Sequence, residues 1–189
     1  MIEWSTYLCE SPIQCRHPYR RVDNMTFLAD CMLGKLARWL RILDYDTVYD
    51  NFAEDDDLLA NAETESRILL TRDGPLADRA GDIDGVRCVF IEEGRLADQI
   101  AQLVTDVDLD LSRETFRRCL ECNVPIASVR LEDVATSVPA YVKATQTEFF
   151  RCPDCERVYW SGTHTERMTE RLTEIRAAVE RRQQGTARA

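Results

Sequence analysis

The chain has 189 residues, with 34 acidic side chains against 24 basic ones, a formal net charge of −10 and 44% hydrophobic residues. No apolar run is long enough to span a bilayer as a helix, which excludes a helical transmembrane protein, and the apolar content argues against wholesale disorder. The length allows one compact domain with an appendage or two small domains.

Residues 1–24 carry scattered acidic and polar side chains and lack the apolar stretch of a secretory signal, which makes a cytoplasmic location the default. They fit no periodic pattern and are read as an N-terminal extension outside the core. Thr26-Phe-Leu-Ala29 is a short apolar run ending at Asp30. Leu33, Leu36, Leu40 and Leu43 then recur at helical spacing, with Lys35, Arg38 and Arg41 along another face. A strand is expected at Thr47–Tyr49, a helix around Leu58, Leu59 and Ala62, and a buried strand at Ile68–Thr71 running into Arg72-Asp73. Leu76, Ala77 and Ala80 suggest a helix stopped by Gly81, followed by a strand over Val86–Ile91 and a helix over Leu96–Val104. Strands alternating with helices imply an α/β fold, a parallel sheet with right-handed crossovers. Cys31 and Cys88, beside apolar strand residues, are expected as small core residues.

Cys119-Leu-Glu-Cys122 and Cys152-Pro-Asp-Cys155 are two CxxC pairs separated by 29 residues. Each pair sets two thiolates on one tight turn, and two such turns close a structural four-cysteine Zn²⁺ site. The alternative, a redox pair, calls for a single CxxC at a strand-to-helix junction. Cys9, Cys15 and His17 are a weaker metal-binding set with no such spacing. Tyr159 and Trp160 follow the second CxxC pair closely enough to cover the zinc turn. Thr163 to Glu166 has the spacing of a capping box and opens a terminal helix with an apolar stripe of Met168, Leu172, Ile175 and Val179. Its other face carries Arg167, Arg171, Arg176, Arg181 and Arg182. This helix is expected to be docked by its stripe, with the arginine face solvated. Residues beyond Arg182 are expected to fray.

The charge is unevenly divided. Residues 1–115 hold 24 acids and 12 bases, net −12, whereas residues 116–189 hold 10 acids and 12 bases, net +2. The break places a boundary near residue 115. Of the basic residues only Lys35 and Lys143 are lysines. An acidic, lysine-poor surface is expected of a halophilic protein, whose charge repulsion is screened by concentrated salt.

Open parallel sheets bind ligands beyond the carboxyl ends of their strands, where Asp30 and Asp73 both stand. Glu54, Asp55, Asp56 and Asp57 lie between the second and third strands. Converging carboxylates with no histidine among them favour Mg²⁺ or Mn²⁺, which would assist phosphodiester hydrolysis. The alternative is that Asp55 to Asp57 simply favour a helix N-terminus.

The stretch Phe27-Leu-Ala-Asp-Cys-Met-Leu-Gly-Lys-Leu-Ala-Arg-Trp-Leu-Arg41, the run Ile68-Leu-Leu-Thr-Arg-Asp73, the two CxxC pairs and Val158-Tyr-Trp-Ser-Gly-Thr-His164 with Arg167-Met168 together resemble the Mut-seven C-terminal RNase domain family over about residues 25–175. The resemblance implies a PIN-like parallel sheet flanked by helices, followed by a small zinc ribbon and a C-terminal helix. It divides the chain into the extension 1–24, a PIN-like nuclease domain 25–115, a zinc ribbon 116–163 and a helix with its tail, 164–189. It also implies a metal-dependent ribonuclease with Asp30, Asp55 and Asp73 as catalytic Mg²⁺ or Mn²⁺ ligands, and Cys119, Cys122, Cys152 and Cys155 as structural Zn²⁺ ligands. Asp56 is the alternative middle acid, and Asp78 a weak candidate for a fourth. Gly34 is expected to allow close backbone approach at the metal site. Asn123 and Glu156 stand where zinc-ribbon turns often place glycine in a left-handed backbone. RNA is the expected partner, and no membrane is. Lys35, Arg38 and Arg41 would hold the RNA backbone, or else form a solvated helix face. The competing function is a catalytically inactive RNA-binding or protein-interaction module.

Overall fold

The computed structural model describes residues 25–160 and 163–186, so expectations for Cys9, Cys15, His17 and the rest of the extension lie outside the described residues. Strands β1 (Thr26–Ala29), β2 (Asp46–Tyr49), β3 (Ile68–Thr71) and β4 (Arg87–Phe90) form a parallel sheet ordered β2-β1-β3-β4. Parallel strands are covered on both faces and therefore read as continuous apolar runs. Alternate side chains go to opposite layers. Phe27, Ala29, Ile68 and Leu70 pack with Leu36 and Leu40 of α1 (Gly34–Ile42) and Ile100 and Leu103 of α4 (Leu96–Val107). On the other face Leu28 and Leu69 pack with Leu58, Leu59 and Ala62 of α2 (Asp55–Thr64) and Leu76 and Ala80 of α3 (Gly74–Gly81).

The chain steps from β1 outward to β2, then crosses back over β1 to β3. The direction of winding thus reverses between β1 and β3, and the carboxyl ends of those two strands bracket the crevice where such sheets bind ligands. One 3₁₀ turn, Cys31–Leu33, intervenes before α1. It carries Cys31 out of the sheet, and that thiol is exposed rather than in the core. Cys88 is half-buried against the α2–α3 layer, where burial, with Asp30 nearby, raises its thiol pKa to about 11.

Asp108 ends α4 in a left-handed conformation (φ 57°). Beyond it lies a part of the fold that the periodicity does not announce. Strands β5 (Ala127–Val129), β6 (Phe149–Arg151) and β7 (Val158–Trp160) form an antiparallel sheet in that order, with the short helices α5 (Leu131–Val134) and α6 (Ala140–Thr145) between the first two. Val134, Val138, Val142 and Phe149 make its small core, with Trp160 packed against them.

Helix α7 (Thr163–Thr186) returns to the first sheet and packs along α4. Leu172 and Ile175 join the α1–α4 layer, while Ala178 and Val179 meet Ala101. Arg182 pairs with Glu93 at 2.8 Å and Arg181 with Asp98 at 3.7 Å, so the basic helix docks on the acidic part of the chain. The helix continues past Arg182 through Thr186, where fraying was expected. The side chains of the Thr163–Glu166 capping box lie outside those described. No described helix is long and apolar enough to cross a membrane.

Candidate active site and metal centre

Asp30 follows β1 directly, and its amide donates to the Leu70 carbonyl of β3 at 3.0 Å. Only 3% of the residue is exposed. A buried carboxylate needs donors, and this one has three. Met32 N donates to Oδ1 at 2.7 Å, while Arg72 N, at 3.0 Å, and the Thr71 hydroxyl donate to Oδ2. The same Thr71 oxygen accepts from the Asp73 amide at 2.8 Å. One hydroxyl therefore links the two strand-end acids, a role that sequence reasoning missed although Thr71 stands between them in the motif. Asp73 is exposed and also caps α3, its Oδ1 accepting from Leu76 N at 3.0 Å ahead of Pro75.

Asp55, Asp56 and Asp57 occupy the exposed first turn of α2. Arg79 of α3 contacts Asp55 at 3.5 Å and pairs closely with Asp56. Asp78 lines a groove of about 510 Å³ along β4 together with Arg87, Phe90 and Asp106. Asp30, Asp55 and Asp73 all stand in connections that follow carboxyl ends of the strands, without forming a tight ligand set, whereas Asp78 lies beside the starts of β3 and β4. Among the described residues, the four cysteines are the only group of three or more metal-capable side chains whose ligand atoms all lie within 4.8 Å of one another.

Gly34 does permit a close approach, but the group that approaches is Tyr49. A Cβ on Gly34 would lie 2.7 Å from Tyr49 Oη and 2.8 Å from its Cζ. The hydroxyl reaches the Cys31 carbonyl (3.2 Å) and Asn51 Oδ1 (3.1 Å), tying the connection after β2 to the turn after β1.

Of the three basic residues on α1, Lys35 and Arg38 are exposed, and Arg38 lies 3.6 Å from Glu121. Arg41 is buried, with Nε donating to Thr47 O at 2.9 Å and Nη1 to Leu120 O (2.7 Å) and Glu121 O (3.0 Å). Six residues along a helix turn a side chain roughly 120° away from Lys35, which carries Arg41 off the exposed face. Its guanidinium, its pKa lowered by burial, thus clamps the first cysteine turn and faces no solvent-borne phosphate.

The two cysteine turns repeat one backbone pattern. Cys119 N donates to Val124 O (2.8 Å) and Asn123 N to Cys119 O (3.0 Å); Cys152 N donates to Arg157 O (3.0 Å) and Glu156 N to Cys152 O (3.1 Å). Asn123 and Glu156 are both left-handed, at φ 66° and 57°. Cys119 and Cys155 Sγ are 3.8 Å apart. That equals the edge of a tetrahedron with Zn–S bonds of about 2.3 Å, so the donor set fits Zn²⁺. Burial alone would raise the Cys119 thiol, but hydrogen bonds from Tyr159 and from the Cys122 and Glu121 amides bring it down to about 6. Cys122, facing its neighbouring thiols, first Cys155, is pushed up to about 12. Tyr159 Oη lies 3.1 Å from Cys119 Sγ and accepts from Leu120 N at 3.2 Å, so Tyr159 covers the cysteine turn while Trp160 joins the small core.

In comparisons with known proteins, the family model described as Mut7-C RNAse domain matches residues 25–172. No curated protein and no solved structure matches the chain.

Proposed function

The chain belongs to the Mut7-C RNAse domain family, and on that footing we propose that it is a ribonuclease hydrolysing RNA phosphodiester bonds at Asp30, Asp73 and Asp55 with Mg²⁺ or Mn²⁺. The observation that carries this reading is the placement of Asp30: buried at the point where the sheet's winding reverses, held by three donors and joined through Thr71 to Asp73. A donor set of carboxylate oxygens suits a hard divalent cation. When bound, such an ion would polarise the phosphoryl oxygens and make water a stronger nucleophile. The chain's own part is orientation. Met32 N, Thr71 and Arg72 N fix the plane of the Asp30 carboxylate, and Asp73 is held by its cap on α3. Lys35 and Arg38 on α1 attract the RNA backbone without reading its sequence. Asp55, or Asp56 beside it, supplies the third carboxylate once Arg79 yields it. Zn²⁺ held by Cys119, Cys122, Cys152 and Cys155 serves stability, since the first cysteine turn is clamped to β2 by Arg41. Such an enzyme would work on cytoplasmic RNA, in a salt-rich interior.

One observation favours a second reading. Arg79 already lies against Asp55 and pairs with Asp56, as expected of a silent acidic site in an RNA-binding or protein-interaction module. A cutting assay decides between them. Labelled RNA is incubated with wild type and with Asp30→Asn, with and without Mg²⁺ or Mn²⁺, at low and at molar KCl. Cleavage that needs the divalent ion and falls by roughly two orders of magnitude or more in Asp30→Asn, with circular dichroism unchanged, supports the nuclease. Absence of cleavage under every condition supports the module.

A further inference from the structure

The large apolar side chains left exposed among the described residues are Met32, Phe52, Phe90 and Tyr141. Scattered single exposures are ordinary, but three of these four stand at or just beyond carboxyl ends of the parallel strands: Met32 after β1, Phe52 after β2, Phe90 closing β4. Phe52 is 86% exposed and Met32 63%. Both belong to backbone held in place. Phe52 N donates to Asp50 Oδ1 at 2.9 Å, closing an Asx turn. Met32 N donates to Asp30 Oδ1 at 2.7 Å, so its side chain departs from the acid itself. The Tyr49 hydroxyl bridges Cys31 and Asn51, the residues immediately before Met32 and Phe52, so the two apolar groups flank one tie on one lip of the crevice.

An aromatic ring left open among the acids Asp50, Glu54, Asp55 and Asp56 suits a particular occupant. A second copy of this acidic surface would be repelled, as would an anionic lipid. RNA is a polyanion as well, but the divalent ion proposed at Asp30 would offset that repulsion locally; a phosphodiester lying there carries nucleosides on either side, and an unpaired base presents a flat face that stacks on an aromatic ring whatever its identity. Methionine, soft and unbranched, adapts to the same face. We propose that Phe52, assisted by Met32, is a stacking platform for an unpaired base flanking the phosphodiester at Asp30, and that it makes the chain selective for single-stranded RNA. This inference rests on the ribonuclease reading.

The test uses a short 5′-labelled single-stranded RNA and its counterpart with abasic residues, with binding followed by fluorescence anisotropy on the full chain carrying Asp30→Asn, which leaves the RNA uncut. Adding Phe52→Ala should weaken binding of the base-bearing RNA about tenfold and leave the abasic RNA unaffected. Phe52→Trp should keep the affinity and add a tryptophan signal that is quenched on binding. With Asp30 restored, Phe52→Ala should raise KM and spare kcat. Equal binding by Phe52 and its alanine variant, an equal loss on both probes, or no binding of base-bearing RNA at all overturns the proposal. So does a Phe52→Ala chain that keeps its RNA affinity but sediments as a smaller species, which would make the lip a protein contact. Cleavage by wild type with KM unmoved in Phe52→Ala sinks the stacking alone; base-dependent binding through Phe52 without cleavage in any divalent ion sinks the nuclease alone.

Discussion

Thr71 closes a strand of otherwise apolar residues, and its hydroxyl faces two acids from different parts of the chain. It donates to Asp30 and accepts from the amide of Asp73. An apolar side chain of the same shape would leave a buried carboxylate oxygen and an amide each short of a partner. Thr71→Val should therefore destabilise the fold by about 1–3 kcal/mol in urea unfolding and slow RNA cleavage, whereas Thr71→Ser should restore most of both. The acids were legible in the sequence because each directly follows an apolar run, and strand ends in parallel sheets face the same way. The threonine's role was not, since only the pairing of β1 with β3 brings it to Asp30. Arg41 is the opposite case: its sequence neighbours suggested a basic face, and only the fold shows it turned inward.

Among the elements, β2 is an edge strand of the parallel sheet, with backbone groups on its outer side that need partners. The residue after the first cysteine pair provides one: Asn123 Oδ1 accepts from Thr47 N at 2.9 Å, while Arg41 Nε donates to Thr47 O, and Asn123 Nδ2 also holds the Asp46 side chain, donating to its Oδ1 at 2.8 Å. Arg67 adds a 2.6 Å ion pair to the same Asp46 oxygen. Burial alone would raise the Asp46 carboxyl, but the bonds from Arg67 and Asn123 bring it below its usual value. A carboxyl whose pKa is lower folded than unfolded stabilises the fold fully above the unfolded value, and this support is lost as pH falls through the folded one. Asp46→Asn should cost about 1–2 kcal/mol at neutral pH and flatten the acid limb of stability against pH, as urea titrations at stepped pH would show. The first four strands and helices could be anticipated because two-faced burial writes itself as unbroken apolar runs and leucine periodicity. The second sheet could not. Its strands have three residues each and α5 only four, too few for a period to repeat, and Ala127 and Ser128 of β5 are exposed. The cysteine spacing announced the turns but not the edge strand they cover.

Across the whole molecule the division of charge acquires a structural meaning. The acidic first part and the mildly basic second part are joined by arginine: Arg118 reaches Asp44, Arg181 reaches Asp98, and Arg182 reaches Glu93. Much repulsion remains at a net charge of −10. If the surface is adapted to salt, raising KCl from dilute to molar should stabilise the fold by about 2 kcal/mol, roughly 4 to 8 °C in Tm at this size; a flat profile by differential scanning calorimetry would exclude that adaptation. The packing of α7 on α4 also has a consequence in time. During synthesis Ala101 leaves the ribosome long before Ala178 and Val179, and the whole cysteine-bearing sheet is translated between them. Throughout that interval one apolar flank of α4 has no cover, so the speed with which the intervening residues fold sets how long a neighbouring nascent chain can reach it.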